Sequence, residues 1–86
     1  MNKKIFENIV NHKISTVTAD ELLKYAKQFN IAVNKQQANL IVEYLRESKV
    51  NIFNDMERTR LIKEIAKVVG PKTAKEVNQL FLQFSK

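Results

Sequence analysis

Cysteine is absent from this chain, and glycine and proline occur once each. Without cysteine there is no disulfide framework, no thiolate metal site and no thiol nucleophile. That composition fits a reducing compartment, and we read the chain as cytoplasmic. The scarcity of turn residues disfavours an all-β fold and suits helices joined by short loops. The one histidine, His12, has no second His, no Cys and no carboxylate pair beside it, so as a base or ligand it lacks partners. It reads as a solvated or capping residue at the end of a first helix. No apolar run is long enough to span a bilayer. The start, Met1 to Glu7, is charged, and Glu7, Asn8, Asn11 and His12 break up the apolar residues near it, so no signal-peptide apolar region is expected. HExxH, GxSxG, P-loop and EF-hand patterns are all missing. The expectation is a chain that is not an enzyme, with no catalytic residues, no cofactor, no metal and no membrane association.

What is present is enough for one small core. A chain of 86 residues with 44% hydrophobic content is a single domain, 1–86. A domain of this size buries only about 60% of its unfolded surface, so its stability is modest or shared with a partner. The formal net charge of +6 favours anionic partners, or does no more than keep the protein soluble.

The apolar periodicity predicts five helices and an all-α fold. The first runs from about Asn2 to His12, with Ile5, Phe6, Ile9 and Val10 on one face. Lys13 to Val17 reads as a loop. Thr18 and Glu21 form a capping box, opening a helix that carries Leu22, Tyr25, Ala26 and Phe29 inward and ends at Asn30. Asn34 and Gln37 open a third helix, about Lys35 to Ser48, that buries Ala38, Ile41, Val42 and Leu45, with Tyr44 at the edge. The connectors Ile31-Ala32-Val33 and Lys49 to Phe53 either pair as a minimal two-stranded bridge or plug the core.

The best-marked stretch is Asn54 to Pro71. Asn54 and Glu57 read as a capping box, Leu61, Ile62, Ile65, Ala66, Val68 and Val69 form a wide apolar face, and Gly70-Pro71 ends it. This is the expected central helix. A fifth helix runs from there to near Lys86, burying Ala74, Val77, Leu80, Phe81 and Phe84 and leaving Leu82 exposed. Leu22 to Lys27 echoes Leu61 to Lys67, and each precedes a helix whose buried face opens with Ala, Ala38 or Ala74. Two related helical hairpins would produce this echo.

The sharpest local signal is Ile65 to Val77. It resembles one half of the helix-hairpin-helix DNA-binding motif, in which a Gly-apolar-Gly turn precedes Pro-Lys-Thr-Ala and a second helix. Open backbone amides and the helix dipole at such a start favour a phosphate. Lys72 and Lys75 would add charge, Thr73 a hydroxyl, and Lys63 and Lys67 would extend the basic surface behind Gly70. The motif's first Gly is Val68 here, which disfavours close backbone approach at that point. Thr73-Ala74 also reads as a plain helix start with a small residue for close packing. Arg60, Lys63 and Lys67 form a basic stripe, equally readable as a solvated face. Arg58 falls on the apolar side, where a buried guanidinium needs a carboxylate or carbonyl partner. A helix-turn-helix is disfavoured, since Glu43 and Glu47 would face DNA phosphates.

Across nearly its whole length the chain resembles a small YqfT-like Firmicute family of unknown function. The likeness lies in Asn11-His12-Lys13-Ile14, Glu21 to Tyr25, Val50 to Asp55, Glu57-Arg58-Thr59 and Lys72-Thr73-Ala74. It implies a cytoplasmic bacterial protein and brings no activity or site residues with it. Two functional expectations stand. One is a non-catalytic module gripping DNA or RNA backbone through Lys63, Lys67, Gly70, Lys72, Thr73 and Lys75. The other is a protein-interaction module or small homodimer with no nucleic-acid role. Clustered basic side chains would favour the first, and a contiguous exposed apolar patch the second.

Overall fold

The computed structural model describes residues 2–84, the last two by backbone alone. Among the described residues five helices succeed one another: α1 Lys3–Ser15, α2 Ala19–Gln28, α3 Lys35–Ser48, α4 Asp55–Val69 and α5 Pro71–Phe84. Among the described residues there is no strand, so the two connectors do not pair. Instead they plug the core: Ile31, Val50 and Ile52 are buried.

Local chemistry explains most boundaries. In α2 and α3 the capping boxes are complete. The Glu21 amide donates to Thr18 Oγ1 at 3.2 Å and the Thr18 amide to Glu21 Oε1 at 3.1 Å. The Gln37 and Asn34 amides make the equivalent pair at 2.8 and 2.9 Å. Asn30 takes the left-handed region at φ 56°, letting the Ile31 amide turn back onto the Ala26 carbonyl at 2.8 Å. Lys49 does the same after α3 at φ 46°.

Three expectations are corrected. First, α1 continues through Lys13 and Ile14 to Ser15, where the pattern predicts a loop. Ile14 extends the face of Val10, and the Ser15 and Thr16 hydroxyls both donate to the His12 carbonyl at 2.9 Å, satisfying the helix end. Second, the Asn54–Glu57 box is half made. The Glu57 amide donates to Asn54 Oδ1, but the Glu57 carboxylate accepts from the Asn51 amide at 3.1 Å. Third, the hub is α3, which packs on α1, α2 and α4, whereas α4 meets α3 and α5. In α4, Leu61 and Ile65 are buried as expected, but Val69 at its end is only partly so.

The hairpin echo has a structural counterpart. The most extensively packed pairs are α4 with α5 and α2 with α3. Ala38 and Ala74 are each the fourth residue of the second helix in their hairpin and are 0% and 1% exposed. A larger side chain at either point would hold the helices apart. Phe84, expected in the buried stripe of α5, lies outside the residues with described side chains.

The connector between α3 and α4 is tied by side chains from α1 and α4. Asn11 donates Nδ2 to Asn51 Oδ1 at 2.8 Å and accepts from the Ile52 amide at 3.0 Å. Arg58 is satisfied as expected. Its Nη1 donates to the Ile52 carbonyl at 3.0 Å and its Nη2 to Asp55 Oδ1 at 2.6 Å. No buried side-chain polar atom among the described residues lacks a partner. The amides of Asn51, Ile52 and Phe53 and the carbonyl of Ile52 are thereby paired, so this part of the irregular backbone lies against the core with those hydrogen bonds made.

Candidate functional site

The expected phosphate site is the junction of α4 and α5. Gly70 alone separates the two helices, at φ 91° and ψ 158°. Its amide donates to the Ala66 carbonyl at 2.9 Å and its carbonyl accepts from the Ala74 amide at 3.1 Å, so it ends one helix and opens the next. Pro71 has no N–H. No acceptor among the described residues reaches the amides of Lys72 or Thr73, which stay open as helix geometry dictates. Lys72 and Lys75 are exposed and Thr73 is half-buried. Lys67 is exposed but donates to Glu64 Oε1 at 3.0 Å. Lys63 lies seven residues before Gly70, roughly 10 Å along the helix axis. It borders a shallow hollow with Asp55, Met56, Thr59 and Arg60. The fold thus brings Gly70, Lys72, Thr73 and Lys75 into one turn, leaves Lys67 one turn away in an ion pair, and sets Lys63 apart. Ala74, beside them, is fully committed to packing.

A larger feature lies elsewhere. Helices α1, α2 and α5 surround an apolar groove of about 460 Å³. Its α1 wall is Ile9, Val10, Lys13 and Ile14, its α2 wall is Leu22, Tyr25 and Phe29, and α5 supplies Leu80 and Phe81. Val17 and Leu45 reach it from the core. The periodicity places Tyr25 and Phe29 inward, and Ile9 on the packing face of α1. The structure leaves Ile9 55%, Tyr25 42% and Phe29 52% exposed. The cause is geometric: among the described residues α1 packs on α3 and α2 packs on α3, while neither reaches α5 or the other closely enough to close the gap. Ile5, one turn before Ile9 on the same stripe, is 52% exposed and continues the patch.

Among the described residues one charged side chain lines this groove. Lys13 donates to Glu21 Oε2 at 2.6 Å, linking α1 to the first turn of α2. The hydrogen bond from Lys13, and the one from the Thr18 amide, hold the Glu21 carboxyl below its ordinary value; the same bridge holds Lys13 above its own. Sequence periodicity cannot separate groove from core here. The available signal is surplus: α1 and α2 both carry wider apolar faces than an 86-residue domain has partners to cover.

A third, smaller hollow between α3 and α4 carries Glu43, Glu47 and Glu64 around Leu40, Tyr44 and Val68. Among the described residues no three His, Cys, Asp or Glu side chains converge as a metal site. No described helix is long and apolar enough to cross a membrane.

Comparison with known proteins places this architecture in a family. Residues 1–85 match the family model described as a protein of unknown function, DUF2624. The uncharacterized protein YqfT of Bacillus subtilis (strain 168) is 41% identical over 81 residues, covering 94% of this chain and 96% of that protein. No solved structure matches. With a match over nearly its full length and a relative this similar, the chain belongs to the DUF2624 family, the YqfT-like proteins.

Proposed function

We propose that this chain is a non-catalytic protein-interaction module that seats a partner's apolar side chains in the groove between α1, α2 and α5. The observation that carries this reading is an almost wholly apolar groove lined by Ile9, Tyr25 and Phe29, each near half exposed, with exposed Ile5 one turn before Ile9 on α1. The largest apolar patch on a domain is often a functional surface. A groove between helices is the shape that receives an amphipathic helix through anchors one turn apart. A cytoplasmic setting accompanies the proposal, supported by the lack of cysteine. The test is a titration of the ¹⁵N-labelled chain with a leucine-faced helical peptide. Amide shifts should concentrate at Ile9, Lys13, Leu22, Tyr25 and Phe29. Saturating peptide with no shifts there would sink the reading.

A second reading rests on a different observation: the open amides of Lys72 and Thr73 beside the exposed side chains of Lys72 and Lys75. These favour a nucleic-acid phosphate at the α4–α5 junction. Such contacts release counterions, giving a log–log salt slope of about −0.9 per phosphate on B-DNA and little sequence preference. Replacing Lys72 and Lys75 by Gln should flatten the slope by roughly two units. Absence of binding at low salt would remove this reading.

A further inference from the structure

Resting on the interaction-module reading, we infer that the occupant of the α1–α2–α5 groove is an acidic amphipathic helix of another protein, not a second copy of this chain. Charge carries the argument. Beyond the groove lining, α1 and α2 carry Lys3, Lys4, Lys24 and Lys27, all exposed and without an ion-pair partner among the described residues. Their carboxylates are largely spoken for: Asp20 pairs with Lys35 and Glu21 with Lys13, leaving Glu7. The groove is therefore an apolar trough between helices of unneutralised positive charge. The charged side chain that lines it, Lys13, is also cationic.

A second copy would bring the same lysines against themselves, on top of a net +6 on each chain. Such self-repulsion keeps small proteins apart. An acidic partner meets the opposite field and is steered in faster. Area points the same way. Four side chains near half exposed amount to on the order of 400 Å² of apolar surface, the size of a functional patch on a monomer. It is well short of the about 1,000 Å² or more that each subunit of an obligate homodimer gives up. A single helix laid along α1 from Ile5 to Lys13 spans about two turns, which matches anchors at i, i+4 and i+7.

The test uses the full chain and two helical peptides with one leucine face, one carrying Glu and the other Lys on its polar face. Fluorescence anisotropy at low and high salt should show the acidic peptide bound roughly tenfold or more tighter at low salt, with the gap closing as salt screens it. Lys24→Glu with Lys27→Glu, both surface changes that spare the core, should reverse the preference. Equal binding of both peptides at every salt, or no reversal in the double variant, overturns the acidic-partner inference while leaving the module reading intact. No binding of either peptide, with no shifts at Tyr25 or Phe29, overturns both. Sedimentation showing a dimer that Ile9→Glu dissociates makes the occupant a second copy and overturns the inference.

Discussion

Replacing Leu61 by alanine removes three carbons from a site with 0% exposure. At about 0.8 kcal/mol per buried methylene, the lost transfer free energy is about 2.4 kcal/mol. Leu61 belongs to a buried cluster with Ile41, Leu45, Ile52 and Ile65, so the vacated space is closed to solvent. The cavity left after partial relaxation adds on the order of 1–2 kcal/mol. Leu61→Ala should thus cost about 3.5–4.5 kcal/mol, which is a large part of the ~5–15 kcal/mol typical of a domain. The midpoint of thermal unfolding should drop by roughly 14–36 °C at this chain length. Phe29→Ala is the matched comparison. Were Phe29 inward, as its helical spacing suggests, its removal would cost about 3–5 kcal/mol. At 52% exposed it gives up about half its transfer free energy, so the cost should stay below about 1.5 kcal/mol. Urea denaturation of both variants at unchanged m value decides the matter. A Phe29 cost equal to that of Leu61 would refute the groove as open surface. A Leu61 cost below about 1 kcal/mol would refute the packing of α4 against α3 and the connector.

Four further outcomes rest on individual contacts. Arg58→Met strands the Ile52 carbonyl and should cost about 1–3 kcal/mol in denaturant, whereas Asp55, 87% exposed, should be replaceable by Asn within about 0.5 kcal/mol. Asn11→Ala unbonds the Ile52 amide, so it should cost about 1–3 kcal/mol and hydrogen exchange at Ile52 should quicken. Glu21 is depressed below 4.5 and Lys13 raised above 10.5, so the bridge supports folding between those limits. The Glu21 contribution fades as pH falls through its folded value, and the Lys13 contribution as pH rises through its own; Lys13→Met should move the Glu21 carboxyl titration upward by NMR. Gly70→Ala should cost about 1–3 kcal/mol from backbone conformation alone, since φ is 91° and an added Cβ meets nothing within 4 Å. D-alanine at position 70, introduced by chemical synthesis, should recover the stability, and no recovery would refute strain as the reason for glycine.

The features legible in the sequence are those decided within one helical turn. Thr18 with Glu21 and Asn34 with Gln37 make their capping boxes within a single turn; Lys13 also reaches the Glu21 carboxylate, but on Oε2, and leaves Oε1 to the Thr18 amide. Asn54 with Glu57 carries the same pattern and is only half made, because the Asn51 amide, folded back by the connector, takes the Glu57 carboxylate. The end of α1 is obscured for a related reason: Ser15 and Thr16 look like loop residues, yet their hydroxyls close the helix on the His12 carbonyl. Arg58 is legible because a guanidinium on an apolar face has few ways to be satisfied, and the Ile52 carbonyl is one of them. At the junction, the sequence locates the open amides of Lys72 and Thr73, but not the ion pair that occupies Lys67.

The groove is not legible, and the reason is general to helical chains. Periodicity reports that a stripe is apolar; it does not report whether another element arrives to cover it. Tyr25 and Phe29 satisfy the inward pattern as well as Ala26 does, yet Ala26 is 6% exposed and Phe29 52%. The difference is set by where α1 and α5 end up, both docked elsewhere, and that depends on contacts far apart in sequence. Counting faces recovers part of the answer. Each of the five described helices offers an apolar stripe, α3 alone is surrounded by three neighbours, and the outer helices α1 and α2 keep stripes wider than their single contact with α3 can bury. In so small a domain the excess must go to solvent or to a partner. The excess is gathered on one trough, between helices whose lysines outnumber their free carboxylates, and that placement is why the partner reading rests on this face and not on the basic junction.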